Sequence, residues 1–236
     1  MREKSSLDEI RERFDQDVER FSQLDTGQVA TIDAPLSLEL LAQAAGAMNS
    51  EPKIVVDVGC GAGNLSLRLL RELKSAPAFH LIDLSPKMLD RAEQRLREAG
   101  ATEVHTHCGD FRSEDLPGNC DLILAGAVLH HLRDDTDWER AFSRFHQLLR
   151  PGGSIWISDL VSHEIASTDK LMWSRYADYL TSVGGADYQQ NVFDYIEKED
   201  SPRSLSYQLK LLIDSGFSQI EVLHKNSCFA TFGAVK

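Results

Sequence analysis

Three glycines spaced two apart, Gly59, Gly61 and Gly63, follow directly on a β-branched run in the stretch VVDVGCGAGN, Val55 to Asn64. Such a run predicts a strand, and the glycines predict a turn with unusual backbone angles that leaves room for a ligand against the main chain. A dinucleotide-binding turn has the spacing G-x-G-x-x-G, which seats a pyrophosphate on a helix N-terminus. Here the spacing is G-x-G-x-G, with Asn64 where the last glycine would fall. A nicotinamide dinucleotide is therefore disfavoured.

The segments around this turn alternate in period. NLSLRLLREL carries leucines at 65, 69, 70 and 73 with helical spacing, and HLIDL (80–84) reads as the next strand. SPKMLDRAEQRLREAG begins with a Ser cap and a first-turn Pro, sets Leu89, Ala92, Leu96 and Ala99 on one face, and stops at Gly100. TEVHTHC and DLILAGAV supply a third and a fourth strand. A helix from Thr136 to Arg150, ended by PGG, leads to a fifth, SIWISDL. Ser204 to Ser215 predicts a helix stopped by Gly216, and QIEVLHKN with CFATFGAVK predicts a tightly connected and hence antiparallel pair. Strands separated by helices specify a doubly wound α/β fold, here a mainly parallel seven-stranded sheet with an antiparallel C-terminal strand.

Composition narrows the function classes. A chain of 236 residues, 42% apolar, fits one domain with elaborations. Its net charge of −12 offers no stripe for a phosphate backbone, so nucleic acid is a poor partner and neutral or cationic small molecules are better ones. Four cysteines at 60, 108, 120 and 228 form no C-x-x-C pair and no disulfide framework, which suits the cytoplasm. The charged start MREKSSLDEIRERF and the absence of a long apolar run predict neither a signal peptide nor a membrane span. His105 and His107 share a strand face near Cys108, but no third well-placed ligand is identifiable, and no metal is expected.

In an open α/β sheet the ligand lies beyond the carboxyl ends of the strands, where strand order reverses. Asp83 closes the second strand about 20 residues past Gly63, the usual place for a carboxylate that accepts hydrogen bonds from ribose hydroxyls. With VVDVGCGAGN, LIDLSPKMLDRA, CGDF, GAVLHHL and LRPGG in that order, residues 50 to 160 resemble the class I S-adenosylmethionine-dependent methyltransferases. The resemblance implies S-adenosylmethionine as cofactor and S-adenosylhomocysteine as product. It implies that Asp57 and the stretch Gly59, Cys60, Gly61 to Gly63 border the methionine and ribose parts. Asp83 would hold the ribose hydroxyls, Asp110 and Phe111 would meet the adenine, and Ala125, Gly126, Ala127 and Val128 would line the methyl-bearing side. Leu84, Met88 and Gly109 complete the implied cofactor set.

Methyl transfer to a small molecule is the leading expectation, with His131 preferred as proton acceptor over His130 and Asp159. The HHL pair also matches the family as a structural feature. FDQDVERF and CFATFGAVK resemble the carboxy-S-adenosylmethionine synthases, for whose arginine-tyrosine carboxylate clamp Arg175-Tyr176 is the nearest, poorly aligned match. That synthase, an RNA or protein methyltransferase, and a non-catalytic cofactor-binding module stay open as alternatives. Two parts fall outside the alternation: residues 1–50, helical and mixed in charge, and 161–202, with Trp173, Tyr176, Tyr179, Tyr188, Phe193 and Tyr195. Both are expected to cap an acceptor pocket, with Gly184 and Gly185 as a hinge.

Overall fold

The glycine turn lies in the centre of a seven-stranded sheet of order β3-β2-β1-β4-β5-β7-β6. The computed structural model describes residues 4–23 and 28–236; residues 1–3 and 24–27 of the expected N-terminal cap lie outside the described residues. The strands are β1 Ile54–Val58, β2 Ala78–Asp83, β3 Glu103–Cys108, β4 Cys120–Gly126, β5 Leu149–Leu160, β6 Ser218–Asn226 and β7 Phe229–Val235. Pairings among β1 to β5 are parallel, and β7 runs antiparallel to both β5 and β6, as the short connection before it requires. Strand order reverses between β1 and β4, which puts the turn after β1 at the switch point.

The helices are α1 Leu7–Gln16, α2 Val18–Ser22, α3 Ala34–Met48, α4 Asn64–Glu72, α5 Pro86–Glu98, α6 Asp135–Leu148, α7 Ala166–Glu199 and α8 Leu205–Asp214, with a 3-10 turn at Leu129–His131. Alternation along β1 sorts the core. Val55 packs in a cluster with Leu41, Leu69, Phe79 and Leu89 on one face, while Val56 and Val58 join Trp138, Phe142 and Phe145 on the other. The Ser85 hydroxyl accepts from the Met88 N–H and so caps α5 as the sequence predicts, and Ser204 does the same for α8 through Tyr207.

One expectation needs correcting. Pro151-Gly152-Gly153 does not form a turn between helix and strand: α6 ends at Leu148 and β5 already runs from Leu149 through the glycines. The chain end explains this, because Gly152 N donates to Lys236 O and Lys236 N to Gly153 O, both at 2.9 Å. The register slip that follows between Cys120 and Leu122 absorbs the irregularity. In 161–202, α7 is two helical stretches that meet in a kink at Gly185, whose φ of 82° and ψ of 179° are open to glycine alone, at the paired glycine expected as a hinge. That helix closes a third core cluster, in which Tyr176 and Leu180 pack on Leu160, Cys228 and Phe229.

Candidate functional site

The three glycines divide their labour. A Cβ on Gly59 would stand 2.4 Å from Val128 Cγ2, and one on Gly63 would stand 3.1 Å from Ala92 Cβ, so these two let the turn pack on its neighbours. Only at Gly61, with φ of 50°, would a Cβ meet nothing within 4 Å. That open space is a cavity of about 240 Å³ over the carboxyl ends of β1, β2 and β4. The cavity is lined by Asp57, Gly59, Cys60, Gly61, Asp83, Leu84, Met88, Gly109, Asp110, Phe111, Gly126 and Ala127 from the expected set, together with Val128 and His131. Gly63 instead forms the left-handed N-cap of α4, and Ala125 is fully buried in the core; neither lines the cavity.

Two carboxylates dominate the floor. Asp83 is fixed by backbone donors: Gly61 N to Oδ2 and Ser85 N to Oδ1, each at 2.9 Å. Burial nevertheless raises its pKa, against those hydrogen bonds. Asp57, 1% exposed, accepts from Ser66 Oγ at 2.6 Å, and burial, aided by the charge of Asp83, lifts it to about 7. A buried acid pair held this way favours a cationic ligand.

Because the Asp57 pKa is raised in the fold, its protonated form is the stabilised one. Its contribution is complete below the ordinary carboxylate range and is lost as pH rises toward about 7. Asp57→Asn should therefore raise the thermal midpoint of the ligand-free protein at pH 8 relative to the wild type and have little effect at pH 4, read by calorimetry across that range.

Asp110 differs. Burial raises its pKa, but Arg112 outweighs burial and holds it below the usual range, with Nη2 to Oδ2 at 2.6 Å and the Arg112 backbone N–H to Oδ1 at 2.9 Å. Arg112 is braced in turn by Asp137 at 2.6 Å. Phe111 stacks on Phe145 with ring centroids 5.7 Å apart.

A second cavity of about 370 Å³ adjoins the first, within the range of small-molecule sites. The two share Phe14, Phe21, Gln28, Thr31, Leu38, Gly126, Ala127 and His131. Ala127 has a positive φ of 55° and donates its N–H to Ser158 O at 2.8 Å, a strained residue pinned where the cavities meet. The outer wall is Tyr176, Tyr188, Tyr195 and Ile196 of α7 with Phe229 of β7. Arg175, by contrast, is exposed and lines neither cavity, so Arg175 and Tyr176 do not act together on a ligand.

The polar floor of the second cavity holds His130, His131, Asp159 and Asp200. Asp159 accepts from His130 N at 3.0 Å, from Leu160 N at 2.8 Å and from His130 Nδ1. Burial lowers the His130 pKa, but Asp159 and Asp200 outweigh it and raise it to about 9, so His130 carries a proton at neutral pH. His131 goes the other way: burial first and the charge of His130 second push it below its ordinary value, although its Nδ1 is 2.9 Å from Asp200 Oδ1. A proton on Nδ1 of its neutral form is favoured by the nearby Asp200 carboxylate, although no well-aligned hydrogen bond joins them, and leaves Nε2 as acceptor. Donor atoms of His130, His131 and Asp200 lie within 4.8 Å of one another, compact enough to share a cation.

Sequence reasoning missed Asp200, which follows the last turn of α7 in the run EKED and looks there like a solvated charge. Leu7, Ile10 and Phe14 of α1, at i, i+3, i+7 spacing within the segment expected to cap the acceptor pocket, line the first cavity. Glu199, 5% exposed, fastens α1 from the far end of α7: it accepts from Ser5 N at 3.2 Å, Ser5 Oγ at 2.6 Å and Arg13 Nη1 at 3.3 Å.

Fold and site together define a doubly wound α/β domain with one cavity at the switch point and a second cavity beside it. Comparison with known proteins agrees. Residues 55–153 match the family model for a methyltransferase domain. The carboxy-S-adenosyl-L-methionine synthase of Shewanella baltica (strain OS155) is 25% identical over 185 residues, which cover 77% of this chain and 75% of that protein. The N-methyltransferase NodS from Bradyrhizobium japonicum WM9, solved with S-adenosyl-L-homocysteine, shares the fold at a TM-score of 0.65 and 16% identity, covering 94% of this chain and 98% of that one. An O-methyltransferase family protein from Burkholderia thailandensis gives a TM-score of 0.63 and 14% identity, but there the chain spans only 59% of the longer protein while 94% of its own length is covered. The methyltransferase-domain match over residues 55–153 and these distant relatives support a class I S-adenosylmethionine-dependent methyltransferase.

Proposed function

We propose that the protein transfers a methyl group from S-adenosylmethionine to a small-molecule acceptor, with His131 as proton acceptor. The observation that carries this reading is the junction of the two cavities at Ala127 and His131. Residues of the first cavity fit the cofactor: Gly61 leaves the volume that a Cβ would fill, Asp83 presents a fixed carboxylate to a diol, and buried Asp57 favours a cationic group. Bound there, the cofactor supplies a methyl carbon activated by a positive sulfur.

The chain's own residues do the rest. Aromatic side chains of α7 and the α1–α2 segment exclude water from the second cavity. Asp200 holds the His131 tautomer, so Nε2 can accept the proton that an O–H or N–H acceptor loses as it is methylated. His130 and Asp159, the other two candidates, serve as an ion pair that anchors the 3-10 turn carrying His131; Asp159 is already occupied by three donors. We read residues 1–236 as one methyltransferase domain, with 1–50 and 161–202 as its caps. Nucleic acid is not the expected acceptor. No described helix is long and apolar enough to cross a membrane, and the free thiols of Cys60, Cys108, Cys120 and Cys228 support residence in the cytoplasm.

The carboxy-cofactor synthase is kept as a second reading because of the Shewanella relative. Mass spectrometry of the nucleoside that copurifies distinguishes the two, since a carboxylated cofactor is heavier. Asp83→Ala tests the cofactor site itself: calorimetric affinity for S-adenosylhomocysteine should weaken by about 1.5–3 kcal/mol, the value of charge-assisted hydrogen bonds. A change of only a few tenths would assign the ribose to another carboxylate.

A further inference from the structure

We propose that His130, His131 and Asp200 form a binding site for a divalent first-row transition-metal ion on the floor of the second cavity, with His130 Nε2, His131 Nδ1 and the Asp200 carboxylate as donors. An ion held there takes His131 out of proton transfer. That consequence rests on the function proposed above; binding of the ion does not.

The fold brings the three residues together from distant parts of the chain. His130 and His131 close the 3-10 turn after β4, and the tightness of the turn sets their rings side by side, with centroids 4.1 Å apart at an interplanar angle of 54°. Asp200 arrives as the C-cap residue of α7, its side chain 3% exposed. One donor atom from each lies within 4.8 Å of the other two. Two donors on one ion at about 2.1 Å are about 3.0–4.2 Å apart for angles between about 90° and 180°. His131 Nδ1 stands 2.9 Å from Asp200 Oδ1, and His130 Nε2 stands 4.0 Å from Asp200 Oδ2, so both pairs have the spacing that a shared ion needs.

The donors are also unspent. No well-aligned hydrogen bond joins His131 Nδ1 to Asp200, whose Oδ1 is left buried without a partner. His130 commits Nδ1 to Asp159, which fixes its ring and leaves Nε2 toward Asp200, the arrangement in which a carboxylate behind an imidazole orients it for an ion in front. Asp200 and Asp159 together balance a doubly charged ion. The arginines of the same cavity do not oppose it, because each is matched by an acid: Arg13 by Glu199 at 3.3 Å and Arg20 by Asp17 at 2.6 Å. Two imidazoles and one carboxylate select cobalt, nickel or zinc over magnesium or calcium.

The protons balance. Binding releases one, from His130 Nε2, and moves the single ring proton of neutral His131 from Nδ1 to Nε2. His131 then has no lone pair to offer, so the ion and proton transfer to His131 exclude each other.

Calorimetric titration of the chelator-treated full chain with CoCl2, with visible absorption followed in parallel, tests the assignment. Saturable binding is expected in the wild type, in His105→Gln and in Gly61→Val. Asp200→Asn and His131→Gln should each lose at least tenfold in affinity while keeping wild-type circular dichroism. Gly61→Val is designed to remove cofactor binding, so its retention of the ion separates this site from the cofactor reading. Absence of saturable binding in the wild type overturns the proposal, as does unchanged affinity in both Asp200→Asn and His131→Gln. Binding lost in His105→Gln would put the ion on the exposed end of the sheet and overturn it as well.

Discussion

Gly61→Val should abolish cofactor binding while leaving the sheet intact. A Cβ at this position meets no protein atom within 4 Å, so nothing in the fold opposes the new side chain except the backbone itself, at φ of 50°. A β-branched residue there costs about 1–2 kcal/mol of stability, a few degrees of thermal midpoint at most for a chain of this length. The valine methyl groups, however, project into the volume bounded by Asp57, Asp83 and Ala127. Affinity for S-adenosylhomocysteine should fall by on the order of a hundredfold or more, about 3 kcal/mol. The matched control is Gly63→Ala, which meets Ala92 at 3.1 Å and acts on helix packing, lowering stability more than affinity. Unchanged affinity in a folded Gly61→Val protein would remove the cofactor from this turn.

His131→Ala and Asp200→Asn should lower kcat by about 10²–10⁴-fold, the usual contribution of a positioned general base, with cofactor affinity nearly unchanged. Asp200→Asn is the sharper of the two because it preserves volume and removes only the carboxylate charge beside Nδ1 of His131. The pH profile adds a second reading. His131 is depressed below its ordinary value, so its unprotonated form persists through neutrality and kcat should decline only on the acid side of the ordinary imidazole range. His130 is raised to about 9, so its ion pair with Asp159 holds until pH climbs through that value, and activity should fall there. Asp200→Asn should shift the acid limb down, because it removes an influence that raises His131 and leaves burial and the charge of His130, which favour the neutral ring, opposed only by the weaker pull of Asp159. An unaltered profile in that variant would deny His131 the proton.

How much of this was legible in the sequence depends on the range of the interactions. The turn, Asp83 and the strand–helix alternation are local patterns, and the structure reproduces them with Gly61, Asp83 and Asp57 around one cavity. Cap signals were equally local: Ser85 and Ser204 accept from the N–H groups three residues on. Asp200 was invisible because its meaning comes from His131, 69 positions away, and no periodicity links a helix end to a 3-10 turn. The strand through Pro151-Gly152-Gly153 was misread for the same reason, since its partner is the last residue of the chain. Likewise the apolar face of α1 signals burial, yet what it covers is ligand volume and not protein.

Phe14 and Phe21 belong to both cavities, and α1, which carries Phe14, is fastened to the end of α7 by Glu199. Whatever displaces that helix alters two binding volumes at once. The dissociation constant of either molecule measured alone is then only one corner of a thermodynamic square, and the factor by which one occupant changes the other must be the same in both directions. An inhibitor wedged against Phe14 would report on cofactor and acceptor together, so competition against one of them would not establish where it sits.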